Sequence, residues 1–145
     1  MRWWLRPAAA GDVEAIAELR ALVMRPDLER LGRWDEHRVR QRFRDSFAAF
    51  AEYTSVIEVS SQLAGSVTLR PAPTGRWLEN FYLAPHLQGR GLGSSVLRSL
   101  LTSSDTPVAL KVLQGSPARR LYERHGFVVE SEDPIDVLMV RGLPI

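Results

Sequence analysis

An α+β or mixed α/β fold is predicted by three features of the sequence. Between Val13 and Phe47 apolar residues recur at spacings of three and four, and from Tyr53 the period changes toward two. From Trp77 onward, apolar runs of strand length alternate with segments of helical spacing. The third feature is Gln88-Gly89-Arg90-Gly91-Leu92-Gly93-Ser94, a glycine-rich turn set between one of those strands and the helix after it. With 145 residues the chain fits one domain, residues 1–145, large enough to bury ~68% of its unfolded surface.

Trp3 to Arg6 reads as a first strand, broken by Pro7-Ala8-Ala9-Ala10-Gly11. Asp12 can cap a helix whose Val13, Ile16, Leu19 and Val23 share one face, and Arg25-Pro26 is expected to stop it. After a polar connection, Asp35 is a second candidate cap, opening a helix in which Val39, Phe43 and Phe47 recur every fourth residue. Tyr53 to Val59 and Leu63 to Leu69 form a predicted hairpin around Ser60-Ser61-Gln62, ended by Arg70-Pro71-Ala72-Pro73-Thr74-Gly75. Trp77 to Leu83 is the next strand, Gly91 to about Ser103 a helix, and Val108 to Leu113 a strand. Pro117 to His125 then reads as a helix stopped by Gly126, and Phe127 to Glu130 with Val137 to Arg141 as a final strand pair. In Trp77 to Leu83, simple alternation places Glu79, Phe81 and Leu83 on one face and Asn80 and Tyr82 on the other.

Composition narrows the function classes. Hydrophobic residues at 45% and charged residues at 25% are those of an ordinary globular protein, and no apolar run approaches the ~20 residues needed to span a bilayer. The opening Met1-Arg2-Trp3-Trp4-Leu5-Arg6-Pro7 lacks the apolar stretch of a signal peptide, so the expected location is the cytoplasm, with no membrane partner. No cysteine is present, and His37, His86 and His125 lack ligand spacing, so no metal is expected. A net charge of +2 gives no argument for nucleic acid.

The glycine-rich turn is an anion site by its context. Glycines let the backbone approach a ligand closely, and the first N–H groups of the following helix have no carbonyl partner. Together with the helix dipole they favour a phosphate or diphosphate. A P-loop needs Lys-Ser/Thr after its last glycine, whereas Gly93 is followed by Ser94-Ser95. A dinucleotide fingerprint needs an acidic residue ending the next strand, which here ends in Leu113-Gln114, and its third glycine would be Ser94.

Gln88, Gly91 and Gly93 match the coenzyme A loop of the GNAT superfamily of N-acetyltransferases, Gln/Arg-x-x-Gly-x-Gly/Ala, and Leu83-Ala84-Pro85-His86-Leu87 resembles the approach to it. Downstream, Ser116-Pro117-Ala118-Arg119-Arg120-Leu121-Tyr122-Glu123-Arg124-His125-Gly126-Phe127 resembles the family's Asn-x-Ala-x-x-Leu-Tyr-x-x-x-Gly-Phe helix. The resemblance is specific from about Trp77 to Phe127, and Leu5 to Ala8 resembles the family's usual opening. It implies a GNAT-like, mostly antiparallel sheet of six to seven strands with about four flanking helices. Its fourth and fifth strands, Trp77 to Leu83 and Val108 to Leu113, would splay to admit the pantetheine arm of acetyl-CoA, with no metal involved.

On that resemblance, Leu83, Gln88, Gly89, Arg90, Gly91, Leu92, Gly93, Ser94 and Ser116 are the candidate cofactor residues. Ser116 stands where the family often has Asn, and its reach is shorter. An amine would attack the thioester carbonyl directly in a ternary complex. Tyr122 is the candidate acid for the departing thiolate, since a phenol of pKa ~10 can protonate a thiolate of pKa ~8.5, against the alternative of a core aromatic. Glu79 is the candidate base, directly or through water, because a side-chain ammonium of pKa ~10.4 is neutral only about once in 2,500 molecules at pH 7. The alternative is a rim carboxylate paired with an arginine. Acceptor specificity is expected between Leu28 and Phe47, where Trp34 and Glu36 beside Asp35 could hold a cationic amine, while Arg38, Arg40, Arg42 and Arg44 read as a solvated face that could equally receive an anionic acceptor such as an acidic peptide. A small-molecule amine is preferred to a protein amine. The alternatives are a non-catalytic coenzyme A-binding module and a nucleotide-binding domain. Trp77 and the apolar end at Gly142-Leu143-Pro144-Ile145 are candidates for a homodimer contact.

Overall fold

The computed structural model describes residues 1–102 and 106–142. Its strands are β1 (Trp4–Pro7), β2 (Thr54–Val59), β3 (Gln62–Ala72), β4 (Gly75–Leu83), β5 (Val108–Leu113), β6 (Val128–Glu132) and β7 (Asp136–Arg141). The helices are α1 (Val13–Arg30), α2 (Glu36–Phe50), α3 (Leu92–Thr102) and α4 (Ala118–Arg124). The predicted end of α3 at Ser103, and Leu143-Pro144-Ile145, lie outside the described residues.

The strands form one seven-stranded sheet in the order β1-β2-β3-β4-β5-β7-β6. Every neighbouring pair is antiparallel except β4 and β5. On one face Ile16 and Ala17 of α1 and Phe43 of α2 enclose Val56. On the other, Leu97 and Leu101 of α3 and Tyr122 of α4 pack with Leu78, Val108, Leu110 and Phe127. The arginines of α2 are not all solvated. Arg40 pairs with Glu18 and Arg44 with Glu14, each at 2.7 Å, tying α2 to α1.

Two local expectations are corrected. The first helix does not stop at Arg25-Pro26: α1 runs through Pro26 to Arg30. Proline removes one ladder bond but its fixed φ is helical. The last turn is held by ion pairs within the helix, Arg25 with Glu29 at 3.2 Å and Arg30 with Asp27 at 2.6 Å, and from outside by a hydrogen bond from Arg30 to the Gln114 carbonyl.

The second correction concerns the faces of β4. Thr68 of β3 lies opposite Glu79 and Ser66 opposite Tyr82, so Val67 alone faces Asn80 and Phe81 across a bulge. Asn80 takes φ +54°, in the left-handed region that Asn tolerates better than most residues. The extra residue reverses the parity of the strand. Leu78, Phe81 and Leu83 pack on the α3/α4 face, whereas Glu79 shares the α1/α2 face with its partner Thr68 and with Tyr82.

The sheet parts between β4 and β5. They pair only at Arg76 with Val108 and Trp77 with Ala109, backed by a 2.9 Å bond from the Arg76 N–H to the Pro107 carbonyl. Gly75 permits this approach, since a Cβ there would lie 2.2 Å from the Pro107 oxygen. Beyond Trp77 and Ala109 no pairing joins the two strands among the described residues, and a cleft opens between them.

Candidate active site

The glycine-rich turn follows the C-terminal end of β4 beside the cleft. Gly89 and Gly91 take φ +75° and +81°, and a Cβ on either would meet nothing within 4 Å. Glycine is therefore required by backbone conformation rather than by crowding. Gly93 packs closely, since a Cβ there would sit 3.4 Å from side-chain methyls of Leu83 and Leu121, a contact those side chains could accommodate. The Gln88 amide donates to the Leu83 carbonyl at 3.0 Å and fixes the turn to the strand end.

The first hydrogen bond entering α3 runs from Ser95 N–H to the Gly91 carbonyl at 3.0 Å. The backbone N–H groups of Gly89 to Ser94 come before it and have no acceptor among the described residues. Such a run of donors at a helix start fits a diphosphate. The Ser94 hydroxyl is already engaged, 2.8 Å from Nε2 of His125, so its backbone is what it offers to a ligand. Arg90 is exposed and lines a concavity of about 330 Å3 shared with Met1, Ser60 and His86.

Tyr122 is 8% exposed, with its ring edge-on to Phe127 at 5.8 Å. Its hydroxyl has no hydrogen-bond partner among the described residues. No fully buried side-chain polar atom there lacks one, so this hydroxyl reaches an opening rather than a sealed core. Burial pushes its pKa well above that of a free phenol, and the neighbouring Tyr82 pushes it the same way. The group is a neutral donor at physiological pH.

Tyr82, on the α1/α2 face of the sheet, lies in a polar network. Its hydroxyl accepts from Arg20 Nε at 2.8 Å and donates to Asn80 Oδ1 at 3.3 Å. The Asn80 amide donates to Ser46 of α2 at 2.9 Å and to Thr68 at 3.1 Å. Burial raises the Tyr82 pKa against the opposing pull of Arg20. Glu79 accepts from Arg70 Nε at 2.7 Å, and Arg70 lies over the Phe50 ring at 4.3 Å. The second carboxylate oxygen of Glu79 makes no hydrogen bond among the described residues.

A family model described as Acetyltransferase (GNAT) family matches residues 14–127. The chain belongs to the GNAT acetyltransferase family. No curated protein matches it in sequence. Among solved structures, PaiA N-acetyltransferase from Thermoplasma acidophilum, in complex with coenzyme A, has a TM-score of 0.77 at 19% identity, covering 98% of this chain and 99% of its own. A Pyrococcus horikoshii protein has a TM-score of 0.76 at 20% identity, covering 99% and 100% of the two chains. A protein named histone acetyltransferase HPA2 and related acetyltransferase, from Corynebacterium glutamicum, reaches 0.75 at 19% identity over 100% and 98%. At such identities the likeness is one of fold.

Around the GNAT cleft the remaining candidates are placed unevenly. Ser116 lies in the β5–α4 connection, its hydroxyl accepting from the Ala118 N–H at 3.3 Å. Trp34 already carries a cation on its face, the Arg25 guanidinium at 4.7 Å, and Asp35 caps α2 by accepting from the Arg38 N–H at 2.9 Å. No hydrogen bond, ion pair or ring contact joins Trp34 or Glu36 to Glu79, Tyr82 or Tyr122 among the described residues. Trp77 lies 6.0 Å from the Arg70 guanidinium. Sequence reasoning missed Arg20, Asn80 and Tyr82. Asn80 carried a faint signal as a polar residue inside a strand, but nothing local in α1 distinguishes Arg20 from its neighbouring arginines. Among the described residues no group of side chains could hold a metal ion, and no helix is long and apolar enough to cross a membrane.

Proposed function

We propose that the protein transfers an acetyl group from acetyl-CoA to a primary amine, by direct attack in a ternary complex. The observation that carries this reading is the run of unpaired N–H groups from Gly89 to Ser94 beside a parted sheet, with the unpaired Tyr122 phenol packed on the α3/α4 face of that sheet. The turn would bind the diphosphate, with Ser116 near the arm and Leu83 at the strand end. The free edges of β4 and β5 would hydrogen-bond the extended pantetheine.

The cradle leads into α3 on one face of the sheet, and in this reading the amine comes from the other, the α1/α2 side. The bulge at Asn80 has turned Glu79 toward that side, where a base must stand if it is to take the proton of the attacking ammonium. Tyr122, held neutral by burial, gives its proton or a hydrogen bond to the departing thiolate. Glu79 takes up the amine proton directly or through water. The acceptor is a small-molecule amine rather than a protein amine.

The test combines binding with turnover. Acetyl-CoA at about 100 times its Kd should stabilise the protein by ~2.7 kcal/mol, with no effect of ATP or NADH, and thiol should be released in the presence of an amine panel. Stabilisation by ATP or NADH but not by acetyl-CoA would overturn the reading. Binding without thiol release from any amine would leave only a coenzyme A-binding module.

A further inference from the structure

Arg20, on the α1/α2 face of the sheet beside β4, is a charged group with no counter-charge among the described residues. Its Nε donates to the Tyr82 hydroxyl at 2.8 Å and its Nη1 to the Val39 carbonyl at 2.5 Å. Nη2 makes no bond, and no carboxylate pairs with the side chain among the described residues. The neighbouring acids are spent elsewhere: Glu14 on Arg44, Glu18 on Arg40, and Glu79 on Arg70. Arg20 is also half-buried, beneath α2 and against β4. On the α1/α2 face of the sheet, around β4, two guanidinium groups, Arg20 and Arg70, therefore stand against one carboxylate, Glu79.

A partly buried cation held by neutral groups alone is costly unless something anionic completes it. With Nε and Nη1 engaged, the free Nη2 can still donate a charge-assisted hydrogen bond to a carboxylate, which also supplies the missing counter-charge. Resting on the acetyl-transfer reading, we infer that the acceptor is a small amine that carries a carboxylate, of the amino-acid class, and that Arg20 binds this carboxylate. Tyr82 and the Val39 carbonyl orient the guanidinium from behind. The acceptor's ammonium then lies toward Glu79, whose charge it complements, and the thioester end of the gap lies by Tyr122. A diamine would instead place a second cation against Arg20, and a C-terminally amidated peptide would leave it unpaired.

The experiment compares amino acids with their decarboxylated amines and their carboxamides, by thiol release from acetyl-CoA. The expected preference for the carboxylate form is about 30-fold or more in kcat/KM, the scale set by removing one partner of a desolvated charge pair. In Arg20→Gln the preference should fall to within about threefold of unity, and Arg20→Lys should retain part of it. Coenzyme A stabilisation, which depends on the opposite side of the sheet, reports that each variant is folded. Equal turnover of the matched pairs, equal use of amidated peptides, or a preference that survives in Arg20→Gln would overturn the inference while leaving acetyl transfer intact. A wild-type protein that coenzyme A does not stabilise would overturn both.

Discussion

At the scale of single residues, the two phenols of the cleft make opposite predictions. Tyr122 has no hydrogen bond to lose, so Tyr122→Phe should leave stability unchanged or raise it slightly, while kcat falls about 100-fold or more with coenzyme A affinity kept. Chemical denaturation beside steady-state kinetics checks both halves. A variant that loses stability and activity together would reduce Tyr122 to a core aromatic. Its candidacy was legible because the motif around it is local. The Arg20–Tyr82 contact was not, since those residues lie far apart in the chain and meet only when α1 crosses β4. His125 is a third case. Burial, with Arg98, Arg124 and Arg141 nearby, holds its pKa below the usual 6.5. As pH falls the unfolded chain binds that proton first, so the stability this group contributes is complete above pH 6.5 and declines toward the lower folded value. Asp12 and Glu58, whose pKa values are also lowered, begin to cost stability only at more acidic pH. Thermal unfolding should therefore show Tm falling as pH drops below about 6.5 and before the carboxylates titrate, and His125→Gln should flatten that part of the curve.

Elements were legible where a rule of local sequence governs them. The cradle is one, because positive φ at Gly89 and Gly91 demands a residue type that can be read directly. Gly91→Ala adds a methyl to open space, so its cost is conformational, about 1–2 kcal/mol. The turn should relieve that strain by relaxing, so that its N–H groups diverge. Coenzyme A binding measured calorimetrically should then weaken about tenfold, while the far-UV spectrum stays the same. An unaltered Kd would mean that the phosphates lie elsewhere. The bulge was hidden for the opposite reason. One added residue in β4 leaves Glu79-Asn80-Phe81 looking like plain alternation, and only the pairing of Thr68 with Glu79 and Ser66 with Tyr82 exposes the change of parity. Pro26 misled for a related reason, since what carries α1 past it is the bond of Arg30 to a carbonyl of the β5–α4 connection.

At the scale of the whole molecule, the number and type of strands followed from periodicity, but the strand order did not. That β7 lies between β5 and β6 depends on long-range pairing that no local pattern records. The same order divides the sheet into β1–β4 and β5–β7–β6, joined through the backbone at Arg76, Trp77, Pro107, Val108 and Ala109 and through the core under α3 and α4. The narrowest part of that junction is the contact of Gly75 with Pro107. Gly75→Ala sets a methyl against a backbone oxygen, which cannot turn aside as a flexible side chain would, so the strands must move apart. The cost should be about 2–3 kcal/mol in urea unfolding, the range of a core overpacking substitution. Each half keeps its own hydrogen bonds, so the variant should still fold with wild-type secondary structure. Because the gap is defined by this junction, the damage should extend to function: coenzyme A binding should weaken even though Gly75 lies at the opposite end of β4 from the cradle. Gly11→Ala is the control, since a Cβ there meets nothing within 4 Å. If Gly75→Ala loses stability yet binds coenzyme A as tightly as the wild type, the cleft is not set by the β4–β5 junction.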